Sequence, residues 1–191
     1  ISKEGGPVSV GAGSASSQII DSIAIPKSDL NFIEGFLGEL NSRLAIEVAI
    51  SDDRLSSDIA LYYSTIVQSD DSEGIVLGLA VPNFESNDGW WELYVSEPDF
   101  QNNSNHLRYA LLHEFGHALG LEHPFDDTDG DLYEGISDPS ASAFPEETLM
   151  AYRLPVLGDW PNEFTVNDWN ALIEIWGSSS PLLSTPTLEY A

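Results

Sequence analysis

The feature that most constrains this chain is an eleven-residue segment that holds three of its four histidines. It reads His-Glu-Phe-Gly-His-Ala-Leu-Gly-Leu-Glu-His over residues 113–123. On an α-helix, His113 and His117 lie about one turn apart on the same face, so both imidazoles can bind one metal ion. Gly120 tolerates a positive φ, so it can end the helix and bring His123 to the same ion. Three His ligands with an open fourth position are typical of a catalytic zinc site.

Glu114 directly follows the first histidine, and this position predicts a place beside the metal rather than on it. Its carboxylate can take a proton from zinc-activated water and pass that proton to a leaving amine, which is the work of a general base. The fourth histidine, His106, precedes His113 by seven residues, about 10 Å along a helix axis. We therefore expect His106 to have a surface or capping role.

Composition excludes several classes of protein. The chain of 191 residues carries 6 Lys+Arg against 32 Asp+Glu, a formal net charge of −26, which argues against nucleic acid as a partner. Cysteine is absent, which excludes disulfides and Cys-ligated zinc. No apolar run approaches the length of about 18 residues that a membrane span needs, so we expect no membrane insertion. The carboxylates are typical of solubility or salt adaptation, and they attract basic substrates and repel acidic ones.

The pattern of apolar residues predicts an α+β domain over residues 19–177, between a flexible arm at 1–18 and a C-terminal linker at 178–191. Residues 5–17 are rich in Gly, Ser and Ala and predict a loose segment. Predicted strands cover residues 19–25, 46–51, 58–67, 75–81 and 90–96. Predicted helices cover residues from a cap at Ser28 or Asp29 to about 44, then 104–119 and 166–176. Pro82 closes the fourth strand and favours an edge position for it.

Residues 113–123 match every fixed position of the zinc motif of the metzincin endopeptidases, which this chain therefore resembles. The only methionine, Met150, lies in Thr-Leu-Met-Ala-Tyr, which is similar to the Met-x-Tyr turn of the serralysin and astacin groups. Pro124 after the third histidine also resembles serralysins. Residues 164–177 resemble the closing helix of serralysins and matrix metalloproteinases, and residues 78–82 resemble their edge strand. The likeness covers roughly residues 19–177.

The resemblance implies a zincin fold: a mixed twisted sheet with an antiparallel edge strand, a central active-site helix, and a loop-rich C-terminal half with a Met turn and a closing helix. It implies a secreted, monomeric zinc endopeptidase that acts on peptides or proteins. In that enzyme Zn²⁺ is held by His113, His117 and His123, and Glu114 is the general base.

The resemblance also implies roles for residues outside the zinc motif. Met150 forms an apolar base beneath the histidines, and Asp168 forms hydrogen bonds beneath the Met turn. Tyr152 binds zinc in the resting enzyme and then stabilises the oxyanion. An extended substrate pairs with the edge strand through Gly78, Leu79, Ala80 and Val81. The segment at residues 153–162 is expected to line an apolar pocket for the residue after the scissile bond, with Leu154, Val156, Leu157 and Trp160.

An acidic run near the third histidine is a candidate Ca²⁺ loop, because Asp127, Asp129 and Asp131 supply alternate carboxylates. Leu132 occupies the place where an EF-hand needs glycine, so the run is not an EF-hand, and a solvated acidic loop is an equal alternative. Two other functions stay open. One is a zinc-containing peptide-binding or adhesion module of a larger surface protein, with little turnover. The other is a calcium-stabilised structural domain without zinc.

Overall fold

The computed structural model describes residues 5–10, 18–51, 53, 56–64, 77–84, 89–96, 103–128, 130 and 132–179. Within these residues the chain is an α+β protein, as predicted, with a five-stranded mixed sheet and three α-helices. The strands are β1 (Gly6–Val10), β2 (Gln18–Ile23), β3 (Ile59–Ser64), β4 (Gly78–Asn83) and β5 (Trp90–Ser96). The helices are α1 (Lys27–Arg43), α2 (Ser104–Ala118) and α3 (Val166–Trp176), with a 3-10 turn at Tyr133–Gly135. No helix among the described residues is long and apolar enough to cross a bilayer.

The sheet has the order β1-β2-β3-β5-β4. Strands β3 and β5 are parallel, and the other neighbouring pairs are antiparallel. The predicted edge position of the fourth strand is confirmed, because β4 pairs with β5 alone among the described strands. Pro82 lies within β4 opposite Trp91, where its missing N–H removes no bond from an interior ladder. The other edge of β4 thus has no strand partner among the described strands, and α2 packs against β4.

The main core lies between one face of the sheet and helices α1 and α2. It contains buried side chains from all three, among them Ile33, Phe36, Leu40, Leu61, Leu93, Leu111, Leu112 and Phe115. The ring of Phe36 meets those of Phe115 and Phe164 edge-to-face, with centroids 5.4 and 5.3 Å apart. Such pairs add about 0.5–1.5 kcal/mol beyond the area they bury. These contacts fix α1 against α2 and against the segment that leads into α3.

The predicted strand at residues 46–51 is wrong, although its alternation is real. Ile46, Val48 and Ile50 are partly buried against the main core, yet this stretch pairs with no strand in the part of the chain that the structure describes. The side-chain amide of Asn41 substitutes for one. Its Nδ2 donates to the Val48 carbonyl at 2.8 Å, and its Oδ1 accepts from the Val48 N–H at 2.7 Å. The alternation of apolar residues indicates that one side of the stretch is buried. It does not show whether the backbone groups bond to a neighbouring strand or to a side-chain amide.

The predicted loose segment at residues 5–17 is wrong over Gly6–Val10, which forms β1 and pairs with β2. Residues 11–17 lie outside the described chain. The predicted caps of α1 are also wrong, because the helix begins at Lys27 after Pro26 without a side-chain cap. Strand β5 and helix α3 have their predicted bounds, and α3 begins with a capping box between Thr165 and Asp168. The sequence thus predicted the bounds of those elements whose ends carry turn or capping residues.

Candidate metal centre

Helix α2 carries the first two histidines, and the turn after it brings in the third. Gly120 has a φ of 99°, as predicted, and its N–H donates to the His117 carbonyl at 3.0 Å. The Leu121 N–H then donates to the Gly116 carbonyl at 2.9 Å. Glycine adopts this conformation at little cost, whereas a side chain would be strained there. The chain therefore reverses within three residues and returns His123 toward the helix.

The three imidazoles converge on one point. The Nε2 atoms of His113 and His123 are 3.2 Å apart, and those of His117 and His123 are 3.0 Å apart. These three residues are the one group of at least three His, Asp or Glu side chains, within the described part of the chain, arranged to hold a metal ion. Their rings are half-buried or buried, and His113 is the least exposed of the three.

Two backbone carbonyls set the orientation of the helix histidines, and the sequence did not point to either. The Nδ1–H of His113 donates to the Leu149 carbonyl at 2.7 Å, and the Nδ1–H of His117 donates to the Leu121 carbonyl at 3.0 Å. Because a carbonyl oxygen can only accept, Nδ1 carries the proton in both rings. In the neutral imidazoles the lone pairs therefore lie on Nε2 and face the centre, which is the tautomer that a metal ligand needs.

Burial keeps the three rings neutral. It lowers the pKa of His113 to about 3, and the neighbouring imidazoles of His117 and His123 lower it further. Burial also lowers the pKa of His123 to about 4, with a second contribution from His117, and it lowers the pKa of His117. Unprotonated imidazoles at neutral pH are ready to bind a metal without first releasing protons.

A divalent ion fits this arrangement of donors. Two nitrogens bound to one tetrahedral zinc at about 2.0–2.1 Å lie roughly 3.3 Å apart, close to the observed separations. The Nε2 atoms of His113 and His117 both carry lone pairs, and both lie close to His123 Nε2. A single N–H on His123 cannot donate equally well to both of them, whereas one cation can accept all the lone pairs that face this space. The three histidines can therefore hold one metal ion, and they leave space on the side that opens to solvent.

Glu114 lies beside the histidines under the edge strand. Its side chain is buried, and burial raises the pKa of its carboxyl to about 8. Strand β4 approaches it closely at Gly78, where an added Cβ would lie 2.8 Å from Glu114 Cγ and closer still to Oε1. Any larger residue at Gly78 would have to displace the carboxyl. The glycine at the start of β4 thus allows Glu114 to face the same cleft as the imidazoles.

The segment around Met150 supports α2 from below. Met150 is buried, and its Sδ occupies the space beside Gly116, where an added Cβ would lie 2.6 Å from it. The predicted hydrogen bonds of Asp168 beneath this turn are confirmed. Its carboxylate accepts from Thr148 Oγ1 at 2.6 Å and from the Leu149 N–H at 3.1 Å. Since the Leu149 carbonyl accepts from His113, Asp168 is connected to the metal centre through the turn.

Tyr152 lies at the mouth of the centre. Its ring centroid is 4.7 Å from that of His123 and 5.6 Å from that of His113. Although 57% of Tyr152 is exposed, partial burial and the nearby Glu114 carboxyl raise the pKa of its phenol. Phe125, which the sequence did not single out, stacks on the His123 ring at 4.8 Å and meets Tyr152 at 4.9 Å.

An open cleft of about 500 Å³ runs past the histidines. Its lining includes all three His residues, Glu114, Tyr152, and the predicted substrate-strand residues Gly78, Leu79 and Ala80. Val81 is not part of this lining, and its side chain packs, like that of Leu79, against the small buried cluster that includes Tyr62 and Tyr94. Trp91, Pro82, Glu122 and Asp126 line the cleft without having been predicted.

The expected apolar pocket from residues 153–162 is not formed at the cleft, whose lining includes none of them. Leu154 and Leu157 are instead 77% and 82% exposed. Trp160 packs away from the cleft, stacked on His106 with ring centroids 4.0 Å apart. We predicted a surface or capping role for His106, and its ring instead stacks on Trp160. Its backbone N–H donates to the side-chain oxygen of Asn103, the N-cap of α2. A loop without periodicity gives no indication of which side its apolar residues face.

The candidate calcium loop stays a prediction. Asp127 is exposed, and Asp129 and Asp131 lie outside the described residues. Asp126, at the start of the run, accepts from the Thr128 N–H at 3.0 Å and from Thr128 Oγ1. Asp138, farther along, accepts from the N–H and hydroxyl of Ser140 at 2.8 and 2.7 Å. These two carboxylates stabilise local turns.

Comparison with protein-family models finds no match for this chain, and comparison with curated proteins finds none either.

The raised pKa of Glu114 predicts a pH dependence of stability in metal-stripped protein. The folded-state pKa of about 8 lies above the ordinary value of 4.5, so the folded state holds this proton more tightly than the unfolded state does. The resulting stabilisation is complete below pH 4.5 and is lost as the pH rises through 8. In Glu114→Gln the decline between pH 5 and 8 should be shallower by up to about 1.4 kcal/mol per pH unit. Denaturant unfolding of both proteins in EDTA at several pH values measures this difference in slope. Parallel pH profiles would contradict the raised pKa of Glu114.

Proposed function

We propose that this chain is a zinc-dependent endopeptidase with a zincin fold. One observation carries the proposal: His123 Nε2 lies 3.2 Å from His113 Nε2 and 3.0 Å from His117 Nε2, in an open cleft that also holds a buried carboxyl. Three neutral His donors favour Zn²⁺ over Mg²⁺ and Ca²⁺, because these two ions prefer oxygen ligands. A site that served only structure would close its coordination with a fourth side chain. Here the fourth direction faces the cleft.

His113, His117 and His123 would hold the zinc ion. When bound, the ion supplies a positive charge that polarises a peptide carbonyl and lowers the pKa of water and of nearby acids. That effect also offsets the burial that raises the pKa of Glu114, so the carboxyl can work as a base near neutral pH.

Glu114 then provides the proton transfers. Its carboxylate accepts a proton from the water that attacks the peptide carbonyl carbon, and it donates this proton to the amine nitrogen as the C–N bond breaks. The cleft supports the substrate while this occurs. The outer edge of β4, which has no strand partner among the described strands, would offer backbone N–H and C=O groups to an extended peptide, which would add to the sheet beside α2.

Tyr152 contributes a phenolic O–H at the mouth of the cleft, next to His123. We expect this hydroxyl to donate to the carbonyl oxygen as negative charge develops on it. Tyr152→Phe should therefore lower kcat about 10- to 100-fold, with zinc affinity changed by less than about threefold. Steady-state kinetics and a zinc titration of the two proteins measure both quantities. A normal kcat in the variant would remove Tyr152 from the reaction.

The proposal is tested by incubating the protein with a library of quenched fluorogenic peptides. We expect internal peptide bonds to be cleaved, the activity to disappear in a zinc chelator, and stoichiometric Zn²⁺ to restore it. A protein that binds zinc and peptide but cleaves nothing would instead be a peptide-binding module. That result would overturn the enzymatic proposal.

A further inference from the structure

The third histidine of the cluster is held differently from the other two. His113 and His117 each donate their Nδ1–H to a backbone carbonyl, which fixes the plane of the ring. Within the part of the chain that the structure describes, the ring of His123 forms hydrogen-bond contacts only through Nε2, toward the other two imidazoles. No described carbonyl therefore sets the direction of its Nε2 lone pair. Because a ligand must point that lone pair at the ion, the other contacts of this ring decide its orientation.

A tight turn places Phe125 against the His123 ring. The Asp126 N–H donates to the His123 carbonyl at 3.0 Å, which closes a four-residue turn with Pro124 at its second position. The fixed φ of proline favours that position. The Pro124 carbonyl in turn accepts from the Tyr133 N–H at 2.9 Å. The backbone that carries Phe125 is thus held on two sides, and its side chain is half-buried.

The rings of Phe125 and His123 are stacked. Their centroids are 4.8 Å apart, and their planes differ by 7°. Rotation of the imidazole about its Cβ–Cγ bond would break this parallel contact and would carry its Nε2 away from the Nε2 atoms of His113 and His117. Tyr152 meets both stacked rings edge-on, with its centroid 4.7 Å from that of His123 and 4.9 Å from that of Phe125. The stacked contact therefore restricts the same ring rotation that carbonyls restrict in the other two histidines.

We propose that Phe125 is a positioning residue for the metal ion, because its ring holds the His123 imidazole in the orientation of a ligand. It thus has the role that backbone carbonyls have for the other two histidines. The inference goes beyond the proposed reaction, since it requires only that the histidines bind a metal and not that a peptide is cleaved. Phe125 is not part of the cleft lining, so its replacement acts on the ligand and not on the space for a substrate.

The test measures zinc affinity, in competition with a chromophoric chelator, for Phe125→Leu and Phe125→Tyr. Leucine keeps an apolar side chain without a flat face, whereas tyrosine keeps the ring. We expect Phe125→Leu to lower the affinity about tenfold or more, as removal of a residue that orients a metal ligand does, and Phe125→Tyr to stay within about threefold of the wild type. Phe84→Leu is the matched control, since Phe84 is exposed and its ring meets Trp91 instead of a histidine. It should change the affinity by less than about twofold.

A double variant separates positioning from a general effect on the fold. In a His123→Ala background the ring to be positioned is gone, so Phe125→Leu should lower the remaining zinc affinity by less than about twofold. Phe125 is not part of the main core, so denaturant unfolding in EDTA should give metal-free Phe125→Leu nearly the same midpoint as the wild type.

Wild-type zinc affinity in Phe125→Leu, alongside normal peptide cleavage, would overturn the inference and leave the enzymatic proposal standing. An equal loss of affinity in Phe125→Tyr, an equal loss without His123, or a metal-free Phe125→Leu that no longer folds would also overturn it. The expected pattern of affinities without any cleavage would support the inference while rejecting the enzymatic proposal. A wild type that binds no zinc would reject both.

Discussion

Replacing Glu114 by glutamine should lower peptide cleavage by about 10³-fold or more, while one zinc ion stays bound. The amide has nearly the same shape, so it keeps the packing against Gly78 that the structure shows. It cannot accept a proton from water, however, and so both proton transfers lose their carrier. The three imidazoles are untouched, which separates the loss of the base from the loss of the metal. Rates with a fluorogenic peptide and zinc content by elemental analysis give the two readouts.

The control for this experiment is Glu34→Gln. Glu34 is an exposed carboxylate on α1 and does not line the cleft. Its replacement makes the same change in net charge and should leave the rate within about twofold, because single exposed charges contribute little. Substantial cleavage by Glu114→Gln would show that another group is the base.

Replacing Asp168 by alanine should destabilise the protein by about 3–5 kcal/mol. The buried carboxylate accepts from Thr148 Oγ1, from the Leu149 N–H and, at 2.8 Å, from the Thr165 N–H. The variant would leave these donors without their acceptor and would remove half of the capping box that begins α3. Denaturant unfolding in EDTA measures the loss without a contribution from bound metal.

The same variant should weaken zinc binding about 10- to 100-fold, because the Leu149 carbonyl that orients His113 would no longer be fixed. Asp159→Ala is the control, since Asp159 is exposed on the loop after the Met turn. It should change stability by less than about 0.5 kcal/mol and leave zinc affinity unchanged. Wild-type zinc affinity in Asp168→Ala would show that the turn does not position the imidazole.

The convergence of the three histidines could be predicted from the sequence because its geometry is local. His113 and His117 are fixed by the helical repeat, and Gly120 is the residue that a sharp reversal after a helix requires. The elements with marked ends were also predicted correctly, such as α3 between Thr165 and Gly177.

Local sequence patterns could not predict the long-range contacts. The carbonyl of Leu149 and the close approaches at Gly78 and Gly116 depend on how distant segments pack. Strand β1 was missed because Gly and Ser around it outweighed the alternation of Val8 and Val10, and pairing with β2 decides its conformation.

If the three imidazoles hold one zinc ion as we propose, the zinc content of the purified chain depends on each of them. We expect elemental analysis to find about one zinc per wild-type chain, bound with an affinity that falls by orders of magnitude in His123→Ala. Equal zinc content in the wild type and in His123→Ala, or none in a wild type offered excess Zn²⁺ at neutral pH, would contradict it.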